Sequence, residues 1–314
     1  MSPKTIFEWQ VIADRVPGAS HLRSGLPNQD YHCVFPYPDR IRSRVVLAIS
    51  DGHGSKRSFR SKTGAEIAAV EARRIGRIIV ERDYQPNELT FLKQEIEDRL
   101  PRDLASAWKS KVENHLCEFP VTTSMLSDLA EKENSKAAQS LRDNPLIAYG
   151  ATLLLVLINP SFIAYLQLGD GDILTVNEEG DVSRPLEKDE RLFANETTSL
   201  CSPNAWKDFR THFQVLIDKP PALILASTDG YSNSFQEEAG FLKVGTDFLA
   251  LLRRYKPFHV RVRLKKWLTE ASKLGSGDDV TLGLIFRLDA LNHDAARIDR
   301  ELLPTEAGDC PQEN

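Results

Sequence analysis

Apolar residues along the chain occur mainly in short runs that end in polar turns, which is the pattern of buried strands. The clearest run, Val45 to Ile49, is followed by Ser-Asp-Gly-His-Gly at 50–54. Five β-branched and aliphatic residues between breakers are too few for a core helix and fit a central strand. Comparable runs predict further strands at 6–13, 31–35, 148–158, 161–168, 172–177, 212–218, 222–227 and 280–288. The three strands between 148 and 177 are expected to form an antiparallel meander.

Helices are predicted where apolar residues recur every three or four positions. This spacing indicates amphipathic helices at 61–80 and 87–99, and a third helix that begins at Pro101 and carries Trp108 in its apolar stripe. Residues 241–274 predict a helix in two pieces, broken at Lys256-Pro257. Four segments lack periodicity. We expect loops at 14–30 and 36–43, a mobile or partly helical surface excursion at 120–144, and a surface flap at 183–208.

Composition narrows the class of protein. The 314 residues, of which 41% are hydrophobic, can form a single domain, which we place at 1–288, with a polar and disordered tail at 289–314. The N-terminus does not resemble a secretion signal and no apolar run approaches a membrane span, so we expect a cytoplasmic protein without a membrane partner. A net charge of −5 with mixed signs gives no footprint for nucleic acid. Four scattered cysteines without a CxxC pair do not indicate a zinc site.

Aspartates follow the apolar strands. Asp51-Gly52 ends the central strand, and Asp229-Gly230 repeats this arrangement after the strand at 222–227. Asp30, Asp170 and Asp278 also lie at strand ends or tight turns. A single Asp-Gly pair is more often a hairpin turn with a solvated carboxylate, but carboxylates gathered at strand ends repel one another unless a cation lies among them. Oxygen ligands without cysteine favour magnesium or manganese over zinc.

Seven segments, taken in order, resemble the metal-dependent serine/threonine protein phosphatases of type 2C, in particular their bacterial members. They are Gln29-Asp30, Asp51-Gly52-His53-Gly54, Thr63-Gly64-Ala65, Gly150-Ala151-Thr152, Gly169-Asp170-Gly171, Thr228-Asp229-Gly230 and Asp278-Asp279-Val280-Thr281. The resemblance implies an α+β fold in which helices flank two packed antiparallel β-sheets, with a metal site at one edge of the sandwich. It also implies two Mn²⁺ or Mg²⁺ ions per site, with room for a third.

The same resemblance implies a role for individual residues. Asp51 resembles the carboxylate that bridges both metals, and His53 resembles the proposed general acid. The other implied metal contacts are the Gly52 carbonyl, Asp229, Asp278 and, for an additional metal, Asp170. Asp30, Gln29 and Asp279 are expected behind these ligands, where Asp30 would order metal-bound water.

Three positions depart from the family pattern. Gln29 replaces the usual glutamate, Gly25 replaces the arginine that grips substrate phosphate, and Asn233 stands where a further acid is common. Arg23 and His21 are the nearest candidates for the missing phosphate contact, because arginine binds phosphate oxygens in bidentate fashion. The alternative for Arg23 is an ordinary exposed arginine.

The function implied by the resemblance is metal-dependent hydrolysis of phosphoserine and phosphothreonine in proteins. Its expected partners are a phosphorylated protein substrate and a cognate kinase. Gln29, Gly25 and Asn233 keep open a second hypothesis, a catalytically weak or inactive relative that binds a phosphorylated partner. A third hypothesis, a hydrolase of small phosphate esters, would require a deeper pocket than residues 183–208 are expected to form.

Overall fold

The computed structural model describes residues 6–36, 42–187, 198–217 and 219–292. Ten strands in this part of the chain form two antiparallel sheets of five strands each. The first sheet has the order β2-β3-β4-β5-β8, with β2 at Tyr31–Phe35, β3 at Val45–Ser50, β4 at Leu153–Asn159, β5 at Phe162–Leu168 and β8 at Arg210–Val215. The second has the order β1-β10-β9-β6-β7, with β1 at Trp9–Val16, β6 at Asp172–Val176, β7 at Val182–Ser183, β9 at Leu223–Ser227 and β10 at Val280–Arg287.

The central strand β3 explains why its sequence lacks polar alternation. Val45, Leu47 and Ile49 pack in the core between the sheets, together with residues of β1, β9 and β10. The alternate residues Val46 and Ala48 pack on the other face, beneath helices. Since successive side chains of a strand point to opposite faces, a strand buried on both faces is apolar at every position.

Helices cover the outer faces of both sheets. On the first sheet lie α2 at Ser61–Glu81 and α4 at Leu100–Glu118, which follows α3 at Leu89–Gln94 through a π-helical turn at Glu95–Arg99. On the second sheet lies α8 at Glu238–Leu274, whose backbone is non-helical at Lys256, directly before Pro257. The predicted fold class, with helices flanking two packed antiparallel sheets, is thus confirmed, as is the break at 256–257. No helix within the described ranges combines the length and hydrophobicity needed to cross a membrane.

Two segments contain more helix than the sequence predicted. Residues 19–24 form a short helix, α1 at Ala19–Ser24, although a loop was expected there. The excursion at 120–144 forms two helices, α5 at Thr123–Lys132 and α6 at Ser135–Asp143. Their N-caps are Thr122 and Asn134, whose side chains accept bonds from backbone amides three residues later, the usual way to satisfy helix N-termini.

The predicted meander at 148–177 is wrong in its third strand. β4 and β5 pair in the first sheet, but β6 pairs with β9 in the second. Gly169-Asp170-Gly171 carries the chain from one sheet to the other. A Cβ on Gly171 would lie 2.7 Å from the Ser227 carbonyl oxygen, so this crossing needs a glycine. Asp170 is therefore placed at the junction between the sheets.

The structure describes part of the predicted C-terminal boundary and part of the predicted flap. Residues 289–292 continue as a 3₁₀ turn in which Ala290 is buried, so the packed chain extends beyond the predicted boundary at 288. The rest of the predicted tail, 293–314, and residues 188–197 of the predicted flap lie outside the described residues. The part of the flap that the structure does describe buries Leu186, Leu200 and Ala205.

The strand registers bring the predicted aspartates to one edge of the sandwich. Tyr31 pairs with Ser50, so Asp30 just before β2 and Asp51 just after β3 are neighbours. In the other sheet, Ser227 at the end of β9 pairs with both Asp172 and Leu282. Residues 170, 229 and 278–279 therefore meet at the corresponding edge of that sheet.

We expect Gly64→Ala to destabilise the protein strongly. A Cβ on Gly64, in the first turn of α2, would lie 1.9 Å from the Tyr149 carbonyl oxygen, and Trp108 Nε1 also donates to the Gly64 carbonyl at 3.0 Å. The expected loss in the free energy of unfolding is about 3 kcal/mol or more. The control is Gly240→Ala in α8, where the nearest atom would be 3.8 Å away and a stabilisation of about 0.4–1 kcal/mol is expected. Equal effects in denaturant unfolding would contradict this packing.

Candidate active site

Asp51 lies at the centre of a group of carboxyl groups. Its backbone is fixed by Thr152, whose side chain accepts from the Asp51 amide at 3.0 Å and whose amide donates to the Asp51 carbonyl at 2.8 Å. Burial raises the pKa of Asp51 well above its usual value, and Asp30, Asp229 and Asp170 raise it further. The carboxyl groups of Asp51 and Asp229 perturb each other's pKa, so they lie close enough to hold either a proton or a cation between them.

Asp30 is the most deeply buried of these acids. Its Oδ2 accepts from the hydroxyls of Thr228 at 2.8 Å and Thr281 at 2.7 Å. Its Oδ1 has no hydrogen-bond partner among the described residues. Burial is the main cause that raises the pKa of Asp30 to about 7. An orphaned buried oxygen beside Asp51 fits a site that holds a further polar group, such as an ordered water.

Asp229 begins helix α7 at Asp229–Ser232, directly after β9. Burial raises the pKa of Asp229 to about 6, and Asp170 and Asp278 act in the same direction. The Asn233 amide donates to Asp229 Oδ2 at 3.0 Å. Asn233, which stands where the family pattern has a further acid, is thus a hydrogen-bond donor to Asp229.

The backbone around Gly52 is packed too closely for any side chain. A Cβ on Gly52 would lie 2.8 Å from the Gln29 carbonyl oxygen, and Gly52 forms an isolated bridge with Ala151. The Gln29 side chain donates from Nε2 to Ser61 Oγ at 2.9 Å, while its Oε1 is buried without a partner in the described part of the chain. Two buried oxygens, on Gln29 and Asp30, are therefore left unsatisfied near the carboxyl cluster.

This donor set fits a pair of divalent cations. Asp51 and Asp229 are partly buried acids with raised pKa values, and such like-charged groups are stabilised together only by protons or cations. All their ligand atoms are oxygens, which suits Mg²⁺ or Mn²⁺. Asp170 is exposed at the sheet junction and acts electrostatically on both acids, so it can contribute from the solvent side.

His53 follows the central strand and packs against Gly150. A Cβ on Gly150 would lie 2.3 Å from His53 Cδ2, and the His53 amide donates to the Gly150 carbonyl at 3.0 Å. Burial lowers the pKa of His53, while Asp170 opposes this effect. A bound phosphate dianion would oppose it further, since a nearby negative charge favours imidazolium.

His21 and Arg23, the two predicted phosphate contacts, are placed differently. His21 Nδ1 lies 3.0 Å from Asp279 Oδ2, and His21 Nε2 lies 3.8 Å from Asp278 Oδ1. Arg23 is exposed, and residues two apart on a helix do not face each other. The structure therefore brings His21 to the acids at the start of β10 but does not bring Arg23 there with it.

Arg57 is a nearby cation that the sequence did not single out. It lies in the 3₁₀ turn Lys56–Ser58 after the Asp-Gly-His-Gly segment, is exposed, and lowers the pKa of His53 through its charge. An isolated arginine in a polar turn carries no periodicity or motif that could have identified it. Because its charge reaches His53, Arg57 adds positive charge to the side of the site where His53 lies.

Stabilisation by Mn²⁺ is expected to increase with pH. Because the folded pKa values of Asp30 and Asp229 are raised from 3.8 to about 7 and about 6, the folded metal-free protein binds more protons than the unfolded chain between these values. The contribution of these groups to stability therefore falls as pH rises through this range, and cations replace the protons. At a free concentration of a hundred times its Kd, Mn²⁺ should raise the free energy of unfolding by about 2.7 kcal/mol at pH 7.5. At pH 5.5 and the same concentration, the increase should be roughly half of that or less. Identical thermal shifts at both pH values would contradict the assignment.

Comparison with known proteins agrees with this geometry. The family model for protein phosphatase 2C matches residues 17–269. PppA, a key regulatory component of the T6SS in Pseudomonas aeruginosa, superposes with a TM-score of 0.53 at 14% identity, over 89% of this chain and 97% of that chain. The serine/threonine phosphatase Stp1 from Staphylococcus aureus gives 0.50 at 14% identity, over 91% and 97%. A bacterial serine phosphatase gives 0.52 at 13% identity, over 88% and 96%. Curated proteins give no significant match.

At such low identities the solved structures show the fold, and the family rests on the model match. That match includes Asp30, Asp51, His53, Asp170 and Asp229 and ends before Asp278. Since it covers most of the chain and the fold agrees, the chain belongs to the protein phosphatase 2C family of serine/threonine phosphatases.

Proposed function

We propose that the protein hydrolyses phosphoserine and phosphothreonine in other proteins with the help of two divalent cations, Mn²⁺ or Mg²⁺. The observation that carries this proposal is the convergence of Asp30, Asp51 and Asp229 at one edge of the sandwich, with pKa values raised by burial, beside His53. Buried acids with perturbed pKa values cluster at functional sites. In this proposal the catalytic domain is the single domain predicted at 1–288, and the expected location is the cytoplasm.

The metal ligands in this proposal are Asp51, the Gly52 carbonyl, Asp229 and Asp278, with Asp170 available to an additional cation. Bound divalent cations would supply a water of lowered pKa and would shield the negative charge of the phosphate. Asp30 would order a water at the site, since two threonine hydroxyls fix its Oδ2 and its Oδ1 can accept a hydrogen bond from that water. Gln29 offers Oε1 in the same way, and Asp279 holds the backbone of Gln29.

The proton donor in this proposal is His53. The departing serine or threonine oxygen needs a proton as its bond to phosphorus breaks, and a positioned acid contributes about 10²–10⁴-fold in rate. Phosphate binding places a negative charge near His53 and favours its protonated form. As a phosphate contact Arg23 has support from the sequence alone, since it is exposed and not held beside the acids; Arg57 is a further candidate because its charge reaches His53.

A second candidate function is binding of a phosphorylated partner without turnover. The observation that favours it is that two positions carry uncharged amide side chains where the family pattern has acids. The Gln29 side chain donates to Ser61, and the Asn233 side chain donates to Asp229. A pure binding protein, however, has no use for a proton donor at position 53. The retained Asp51, His53 and Asp229 therefore favour the enzyme.

The experiment that separates these functions uses the full chain with Mn²⁺ and a matched set of peptides that carry phosphoserine, phosphothreonine or phosphotyrosine. We expect release of phosphate from the first two, with slower release from the third and from small phosphate esters. Peptide binding by calorimetry is measured in parallel. Binding of phosphopeptides without release of phosphate would support the non-catalytic alternative.

A further inference from the structure

We propose that His21 is a metal ligand through Nε2, which together with Asp278 forms a cation site that Asp279 orients. This inference deepens the proposed function, because Asp278 belongs to the proposed metal site, but it concerns binding and does not depend on turnover. The family pattern described above supplies only oxygen ligands at this position. A nitrogen donor would change which metals the site prefers.

The position of Asp279 is the first step. Its side chain is 3% exposed, and each oxygen accepts a short bond from a backbone amide, Oδ1 from Gly18 at 2.6 Å and Oδ2 from Gln29 at 2.6 Å. A carboxylate held by two amides of the main chain cannot rotate away. The remaining acceptor capacity of Oδ2 therefore points to a fixed place, and His21 Nδ1 lies 3.0 Å from it.

The second step concerns the two ring nitrogens of His21. Nδ1 is buried and has no hydrogen-bond partner among the described residues, so Asp279 Oδ2, 3.0 Å away, is the acceptor that a small rotation of the ring would give to its proton. With the proton on Nδ1, the lone pair of the neutral ring is on Nε2. Metal-binding histidines commonly donate their other ring N–H to a carboxylate, which fixes the tautomer and orientation of the ring.

The third step is the distance between the two proposed ligands. His21 Nε2 lies 3.8 Å from Asp278 Oδ1, too far for a hydrogen bond. Metal–ligand bonds of about 2.1 Å place neighbouring ligand atoms about 3–3.5 Å apart. One ligand atom from each of His21, Asp278 and Asp279 lies within 4.8 Å of the others. The Asp278 side chain is 53% exposed, so it can close the small remaining distance and the cation can enter from solvent.

The fourth step is the attachment of α1 to the turn before β10. The Ser20 amide and hydroxyl both donate to the Gly277 carbonyl, at 2.9 and 2.5 Å, and the Ala19 amide donates to Ser272 Oγ at 3.0 Å. A Cβ on Gly18 would lie 2.6 Å from the Asp278 carbonyl carbon. These contacts hold His21 against the acids whether or not a substrate is present, which suits a ligand better than a mobile phosphate contact.

The chemistry of the site then selects a class of cation. A nitrogen ligand is tolerated better by first-row transition metals, of which Mn²⁺ is the weakest binder, than by Mg²⁺, which prefers oxygen ligands and retains its waters. We therefore expect the protein to prefer Mn²⁺ over Mg²⁺, and His21 to cause part of that preference. His21 would then not serve as the phosphate contact suggested by the sequence.

The test uses metal-free full-length protein, loaded with Mn²⁺ and examined by electron spin-echo envelope modulation, which detects nitrogen bound to Mn²⁺. We expect ¹⁴N modulation in the wild type, replaced by the ¹⁵N pattern when histidine is ¹⁵N-labelled. His21→Gln should remove the modulation, weaken one class of Mn²⁺ sites by about tenfold or more and reduce the Mn²⁺ over Mg²⁺ preference by a similar factor. His259→Gln, an exposed histidine in α8, should change nothing.

Absence of nitrogen modulation in the wild type would overturn the inference, and so would equal modulation in the wild type and His21→Gln. If His21→Gln fails to fold, His53→Gln decides whether the coupled nitrogen belongs to the other histidine of the site, since the inference expects that variant to retain the modulation. Failure of the proposed function gives a different result, since a protein without turnover can still show the nitrogen coupling. An active enzyme without the coupling would refute only the role of His21.

Discussion

The Asp51→Asn protein is expected to release no phosphate from phosphoserine or phosphothreonine peptides above background, while remaining folded. Asp51 is the acid on which Asp30, Asp229 and Asp170 all act, and asparagine keeps its shape but removes the charge that a shared cation requires. Because the substitution also removes a buried charge, the metal-free variant should be at least as stable as the metal-free wild type at pH 7.5. The measurements are kcat/KM at saturating Mn²⁺ and denaturant unfolding without metal.

Two further variants make this prediction specific. Asp229→Asn should behave as Asp51→Asn does, since the two carboxyl groups act on each other's pKa and are proposed to hold the same cations. Asp98→Asn, at an exposed position of the π-helical turn, should keep both activity and stability. If Asp51→Asn and Asp229→Asn retain wild-type rates, the metal site has been placed on the wrong residues.

The His53→Gln protein is expected to lose about two orders of magnitude or more in the rate of phosphopeptide hydrolysis, the range for loss of a positioned acid. A serine alkoxide is a poor leaving group that needs a proton, whereas nitrophenolate leaves readily without one. Hydrolysis of p-nitrophenyl phosphate by the same variant should therefore suffer much less. Both substrates are compared at saturating Mn²⁺, with chemistry shown to limit the rate.

The comparison of the two substrates contains its own control. Loss of metal or of the native fold would depress both rates alike, and only loss of the proton donor separates them. Equal losses on the two substrates would make His53 a structural or metal-positioning residue. The packing of its ring against Gly150 would then be its main role.

Much of the site could be predicted from sequence because its residues follow strands that are buried on both faces. The unbroken apolar run of β3 marks both a central strand and the point where it ends, and Asp51 stands at that point. The same holds for β9 and Asp229. Antiparallel pairing then requires Asp30 to lie beside Asp51. Strand ends carry their own signal in the sequence, so the acids that follow them could be located, and the structure brings them to one edge of the sandwich.

Other features could not be predicted because they depend on contacts between distant segments. Helix α1 buries no residue completely and is too short to show periodicity; it is held by bonds to Gly277 and Ser272. Periodicity does not indicate the sheet in which a strand pairs, which is why β6 was placed in the wrong one. The contact between His21 and Asp279 joins residues 258 positions apart, and neither residue alone predicts it.

The central claim, metal-dependent hydrolysis at the Asp51 edge, is tested most directly by removing and restoring the metal. The full-length protein is stripped with chelator, its metal content is verified by elemental analysis, and phosphate release from a phosphoserine peptide is measured before and after addition of Mn²⁺. We expect no release above background from the stripped protein and full activity after Mn²⁺ is restored, because the acids of the site would otherwise hold only protons. Full activity in the verified metal-free protein would contradict the account.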